Sequence, residues 1–540
     1  MKQEIIRKID RLFSKWDHKN TPGFALGIFQ RGEVLYSRGY GMASLEHAAP
    51  ITSRTIFDLG STSKQFVAFC LALLERRGKI SLEDNLRDYI PEVGSVAKSV
   101  RIRHLLHHTS GIRDYLALME LAGLRYENEY PDEQIIGLIT RQRNLNFKPG
   151  DEFLYSNSGY LLLGEIIKRV SGLSLREFAE KNIFIPLGMR NTHFHDDYTE
   201  IVMRKAAGYA VADKGFKVDI SLLDVVGDGG INTCIDDLAK WDANFYNNRV
   251  SGGRELIKRI TTQGCLNNGR PLEYAHGLFV DTYRGQKTVS HGGAWVGYRS
   301  ELMRFPEKGF TIACLSNLVQ TNPTCLAKRI ADICLKDSLT GSATPVKAFR
   351  ASGRVKSRSG SVPTAGIYLN ALQDSFVEII LADGKYIFRD DESRYELYPL
   401  GGGRYTVSSG SKEIQVSADV WGRSSIILRK LNAAPVKFQK IRSTRTNSCQ
   451  TPEIVGRYYS KELSAEYVLS LKGTKIVLER LGADKEELHE VVAGVFAGRY
   501  LSIRFKKDRR VAGFLLDYCR IRGIVFEKVA KKADGDLNHK

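Results

Sequence analysis

Apolar positions along the chain change period several times, and each change marks an element. Ile5, Ile6, Ile9, Leu12, Phe13 and Trp16 recur at helical spacing among charges and predict an amphipathic first helix. Two β-rich stretches follow, around 23–30 and 33–40, joined at Arg31-Gly32, a dipeptide suited to a hairpin turn. The unbroken apolar run at 66–74 and the largely apolar stretch 160–167 read as buried helices, and helices with loops continue to about residue 280. Strands return around 287–290, 298–304 and 310–315, and an amphipathic helix over 325–335 closes the unit. This order predicts an α+β domain over residues 1–335.

Residues 336–362 lose all periodicity and are rich in Ser, Thr, Gly, Lys and Arg, which predicts a linker. Two β-rich segments come next, 363–442 and 452–531, separated by the polar stretch 443–450. Gly366, Tyr368, Ile379 and Leu381 match Gly456, Tyr458, Leu469 and Leu471 at one constant offset. A duplicated small antiparallel β-barrel accounts for that repeat.

Composition narrows the class. The 540 residues exceed one ordinary core, and 43% hydrophobic with 26% charged residues is neither disordered nor fibrous. The longest apolar run falls far short of the ~20 residues a membrane-crossing helix needs. The N-terminus has no continuous apolar core of a signal peptide. No membrane insertion and a cytoplasmic location are therefore expected. The eight cysteines include no C-x-x-C pair, which predicts reduced thiols. A net charge of +19 raises the prospect of a polyanionic partner. The basic residues are scattered, however, and the run 504–510 reads as a solvated hairpin, so no nucleic-acid partner is expected.

Three short motifs carry chemistry: Ser61-Thr62-Ser63-Lys64, Tyr155-Ser156-Asn157 and His291-Gly292-Gly293. Ser61 and Lys64 lie three residues apart at the head of a buried helix, so they share one face and the lysine reaches the hydroxyl. A neutral amine there is expected to take the serine proton. Gly60 permits a tight entry, where free N–H groups of the first turn gather. Each motif is weak alone. Ser95 with Lys98 and Ser409 with Lys412 also fit S-x-x-K, and Tyr126, Tyr246 and Tyr368 also head Y-x-N triplets. Only Ser61 precedes a buried helix, and only Tyr155 stands at a helix entrance after a Pro149-Gly150 turn. His104, His107 and His108 lack an acidic or cysteine partner at metal-ligand spacing, so no metal and no cofactor are expected there.

The segment 57–64 resembles the nucleophile region of class C β-lactamases, DD-peptidases and related esterases and D-aminopeptidases. The segments 105–111, 149–150, 155–160, 186–189 and 229–231 match in the same order. The resemblance implies a β-lactamase/transpeptidase-like fold, an antiparallel sheet flanked by helices plus an all-α lobe. It implies an acylated Ser61, Lys64 as its base partner, Tyr155 holding or passing a proton, and Asn157 on a substrate amide carbonyl. It also implies a strand edge of His291, Gly292 and Gly293, and an oxyanion hole from the N–H groups of Ser61 and Ala294. Many relatives carry lysine where this chain has His291, and an imidazole attracts anions only weakly. Two C-terminal barrels are the layout of the D-aminopeptidase branch. That branch brings acidic character to its pocket from the last barrel, whereas 495–501 here contains no acid. Either another carboxylate such as Asp228 takes that part, or the substrate is not an amine. The expected activity is hydrolysis of amides or esters of small D-amino-acid or peptide-like substrates. A carboxylesterase or weak DD-peptidase or β-lactamase is the alternative within the fold, and a non-catalytic penicillin-fold binding protein the alternative outside enzymes. A small-molecule or peptide substrate is the expected partner, and a homodimer is compatible with the sequence.

Overall fold

The computed structural model describes residues 1–250, 253–340 and, between 365 and 529, the strands, the short helix Thr451–Ile454 and several turns. Most of the linker expected at 336–362 and all of the polar stretch at 443–450 lie outside the described residues. The chain forms two compact units. One holds residues 1–111, 126–136 and 147–350, the other residues 112–125, 137–146 and 351–540.

The first unit is built on a six-stranded antiparallel sheet. Its helix α1 (Gln3–Phe13) leads to β1 (Phe24–Gln30) and β2 (Glu33–Tyr40), and the turn residues Arg31 and Gly32 both have positive φ. Later come β3 (Phe57–Asp58), α2 (Lys64–Arg76), α3 (Asn157–Ser171), β4 (His193–Phe194), β5 (Ile231–Thr233) and α4 (Ile235–Asn247). The sheet is completed by β6 (Phe279–Tyr283), β7 (Gln286–Trp295), β8 (Tyr298–Phe305) and β9 (Phe310–Ser316), and α5 (Pro323–Cys334) follows. The strand order is β6-β7-β8-β9-β1-β2.

Because β1 lies between β9 and β2 and is covered on both faces, it reads as a nearly continuous apolar run, whereas the edge strand β2 is largely exposed. One face packs Ile9 and Phe13 of α1 and Leu326, Ala327 and Ile330 of α5 against Leu26, Ile28, Ile312 and Cys314. Each fully buried aliphatic side chain there contributes about 1.5–3 kcal/mol. On α4, Asp242 is wholly buried and accepts from Arg304 Nε (3.0 Å) and Thr311 Oγ1 (2.7 Å). A second, three-stranded sheet has the order β3-β5-β4, and its strand β3 immediately precedes the nucleophile turn.

The second unit contains two closed eight-stranded barrels, one from Gly366–Asn370 to Val436–Lys440, the other from Gly456–Ser460 to Ile521–Lys528. Tyr368 pairs with Lys440 to close the first, and Tyr458 pairs with Lys528 to close the second, so the repeated tyrosines hold equivalent register positions. Both rings are fully buried. Residues 112–125 and 137–146 belong to this unit through a polar knot. Arg113 Nη1 donates to Glu462 Oε1 (2.8 Å) and Gln142 Oε1 (2.8 Å), and Arg113 Nη2 donates to Arg522 O (2.7 Å). Glu462 Oε1 also accepts from Arg143 N (2.8 Å), and Tyr467 Oη donates to Leu121 O (2.8 Å).

Candidate active site

Gly60 turns the chain from β3 into α2 with φ +50°, and a Cβ there would stand 2.8 Å from Ala294 N. Ser61 therefore sits in a 3-10 turn, Gly60–Ser63, rather than in α2 itself. At three residues per turn, side chains three apart eclipse one another, which suits the Ser61–Lys64 pair. The turn is tied down on every side. Asp58 Oδ1 accepts from Gly60 N (2.6 Å), Thr62 Oγ1 donates to His291 O (2.9 Å), and Ser63 Oγ accepts from Ile231 N (3.1 Å). Ser300 Oγ, from β8, donates to Leu59 O (2.7 Å).

Lys64 is fully buried, and its Nζ lies 3.0 Å from Ser61 Oγ, 2.9 Å from Asn157 Oδ1 and 2.5 Å from Asp228 O. Three acceptors match the three N–H bonds of an ammonium. Removal of one proton leaves a lone pair facing Ser61 Oγ. Asn157 is the first residue of α3, and Tyr155, two residues earlier, places its ring centroid 5.0 Å from Lys64 Nζ. His108, with φ +55°, orders that approach: its Nδ1 accepts from Ser156 N (3.2 Å) and its ring lies 4.1 Å from that of Tyr155.

Strand β7 borders the site over its whole second half. His291, Gly293 and Ala294 pair with Leu302, Ser300 and Arg299, so the ladder runs through the expected strand edge at 291–293 and on to Trp295, beyond the stretch 287–290 that periodicity marks. His291 is buried, with Nδ1 2.6 Å from Gly292 O and Nε2 3.1 Å from Tyr274 Oη. A carbonyl can only accept, so Nδ1 carries the proton and Nε2 accepts from the tyrosine. Burial, reinforced by the Lys64 charge, pushes this imidazole down to about 3. It stays neutral far below the range where a free histidine titrates.

The structure thus brings together Ser61, Lys64, Tyr155, Asn157, the Asp228 carbonyl and the strand edge 291–294. Ser95 and Lys98 are exposed at a short turn elsewhere, Tyr246 lies on α4, Tyr368 faces a barrel core, and Ser409 falls outside the described residues. The three clustered histidines have separate partners. His104 Nδ1 accepts from Arg101 N, His107 lies against His276, and His108 serves the Tyr155 loop. Within 495–501, Val495–Ala497 form a barrel strand, and Arg499 and Tyr500 lie outside the described residues. Two contributors were missed in the sequence, the Asp228 carbonyl and Tyr274.

A nucleophile turn entering a buried helix, a lysine one turn on and an antiparallel strand beside them define a serine hydrolase of the acyl-transfer type. Residues 9–333 match the family model described as Beta-lactamase, and the chain belongs to that family. Penicillin-binding protein 4* of Bacillus subtilis is 25% identical over 451 residues, which cover 79% of this chain and 97% of that protein. A D-aminopeptidase of Brucella ovis is 25% identical over 465 residues, 84% of this chain and 82% of that protein. Among solved structures, the octameric penicillin-binding protein homologue from Pyrococcus abyssi has a TM-score of 0.56 at 24% identity, covering 81% of this chain and all of that one.

Proposed function

We propose that the protein hydrolyses amide or ester bonds of small D-amino-acid or peptide-like substrates through an acyl-enzyme on Ser61. The observation that carries this reading is the triple anchoring of Lys64 Nζ at 3.0 Å from Ser61 Oγ. Lys64 accepts the serine proton as Oγ attacks the substrate carbonyl, and the N–H groups of Ser61 and Ala294 receive the oxyanion. Tyr155 relays a proton to the leaving amine or alcohol, and water then releases the acid by the reverse transfers. Asn157 and the bare backbone at Gly292 and Gly293 align the acyl chain. D-amino-acid chemistry is supported by the resemblance to D-aminopeptidases over most of the chain. Esters remain within reach because His291 supplies no fixed cation for a substrate carboxylate. We place the enzyme in the cytoplasm, acting on soluble substrates.

The test is incubation with a fluorophosphonate and with a penicillin, followed by mass spectrometric location of the adduct. Modification at Ser61, absent in Ser61→Ala, is the expected result. No adduct at Ser61 in the folded wild-type protein would overturn the assignment. Turnover of D-amino acid amides, compared with their L forms and N-acetylated derivatives, then reads stereochemistry and the need for a free ammonium.

A further inference from the structure

The small sheet β3-β5-β4 carries a second concentration of chemistry that the acyl-transfer reading does not use. His193 and His195 stand two apart at β4, so they project to the same side. Glu200, on the turn that follows, faces both: its Oε2 is 3.5 Å from His193 Nε2 and 3.5 Å from His195 Nδ1. These three donor atoms all lie within 4.8 Å of one another. Among the described residues, neither His193 Nε2 nor His195 Nδ1 has a hydrogen-bond partner, and both atoms are shut off from solvent. In a tetrahedral zinc site with bonds of about 2.1 Å, neighbouring donors stand about 3.4 Å apart. The two separations from Glu200 Oε2 to the imidazoles already have that size.

Two further features fit an ion rather than three idle side chains. Arg176 donates to Glu200 Oε1 (2.8 Å) and Oε2 (2.7 Å) and to Asp196 Oδ1 (3.0 Å), which fixes the carboxylate while leaving Oε2 a second lone pair. Asn232 of β5 is the register partner of both His193 and Asp58, so its side chain rises from the same face as theirs. It is fully buried, yet among the described residues neither its amide oxygen nor its nitrogen has a hydrogen-bond partner. A polar group so placed calls for a water or ion beside it.

We propose that His193, His195 and Glu200 form a binding site for a divalent transition metal, Zn2+ by the chemistry of its donors, with water in the fourth position. The site clamps the 196–200 turn onto β4, and through β5 it borders the strand that delivers Ser61. Lys205, a cation near both imidazoles, weakens the attraction for a dication.

The test uses tag-free protein freed of metal with a chelator. Isothermal titration with Zn2+ is expected to show about one equivalent bound, and Co2+ should give the intense visible absorption of a tetrahedral ion. Thermal unfolding should shift upward by a few degrees at saturating Zn2+. His193→Gln and Glu200→Gln should each weaken binding at least ~10-fold, whereas His107→Gln, in the separate histidine cluster, leaves it unchanged. Absence of Zn2+ binding and of a Co2+ spectrum in the wild-type protein would overturn the proposal, a result independent of how the variants fold. Equal binding by wild type and a folded Glu200→Gln would overturn it as well.

Discussion

A methyl group at position 293 would overlap Leu59 O, just before the nucleophile turn, and crowd Ser300 Oγ, which donates to that carbonyl. Gly293→Ala must therefore push the strand edge away from Ser61. We expect labelling of Ser61 to slow by at least ~100-fold, because misplacement by about 1 Å costs that much in a positioned reaction. Circular dichroism would remain close to wild type. Tyr274→Phe removes the donor to His291 Nε2 and leaves a buried acceptor unmet. A stability loss of about 1–3 kcal/mol in urea unfolding is expected. The meeting of Ser61 and Lys64 was legible in sequence because their spacing encodes it, whereas the nearness of Asn157 followed only from the resemblance. The Asp228 carbonyl was not legible, because every residue carries one and only the fold aims it. Tyr274 was hidden for a related reason: its loop has no motif, and its partner lies 17 positions away.

At the scale of elements, the nucleophile turn is held between two sheets. Thr62 reaches β7 while Ser63 reaches β5, so the start of α2 cannot shift without breaking both. Thr62→Val keeps the shape and deletes the hydroxyl. We expect it to lower stability by about 1–2 kcal/mol and to slow Ser61 acylation, measured by stopped-flow labelling. Element types followed from periodicity for α1, the first hairpin and the long helices. The end of β7 did not, since His291-Gly292-Gly293 carry little strand propensity. The ladder persists because the turn Val296-Gly297, with φ +69° at the glycine, folds β8 back along the whole strand. The short strands of the β3-β5-β4 sheet left no pattern either, being two or three residues long.

For the whole molecule, acid is the condition to which the interior is most exposed. Burial lowers His104 and His107 to about 4 and His291 to about 3, and lowers His276 as well. The unfolded chain binds those protons near pH 6.5, so stability is full above that value and falls as pH drops toward 4. Glu301, raised by burial to about 7, works in the opposite sense. His193 and His195 are lowered with these four histidines, while buried Asp58 and Asp242 are raised and work with Glu301; the six histidines are expected to make the urea midpoint fall between pH 6.5 and 5. The second unit depends on a different pairing. Glu462→Ala strips Arg113 of its buried counter-ion and should cost about 3–5 kcal/mol in that unit. The same pair sets a clock. Arg113 and Glu462 are separated by 349 residues, so at about 5–20 residues per second the ribosome delivers the second roughly 20–70 s after the first. Through that interval residues 112–125 and 137–146 have been made but lack the rest of their unit. Nascent chains arrested before Glu462 should be cut by protease within these segments, and chains released after Lys528 should resist.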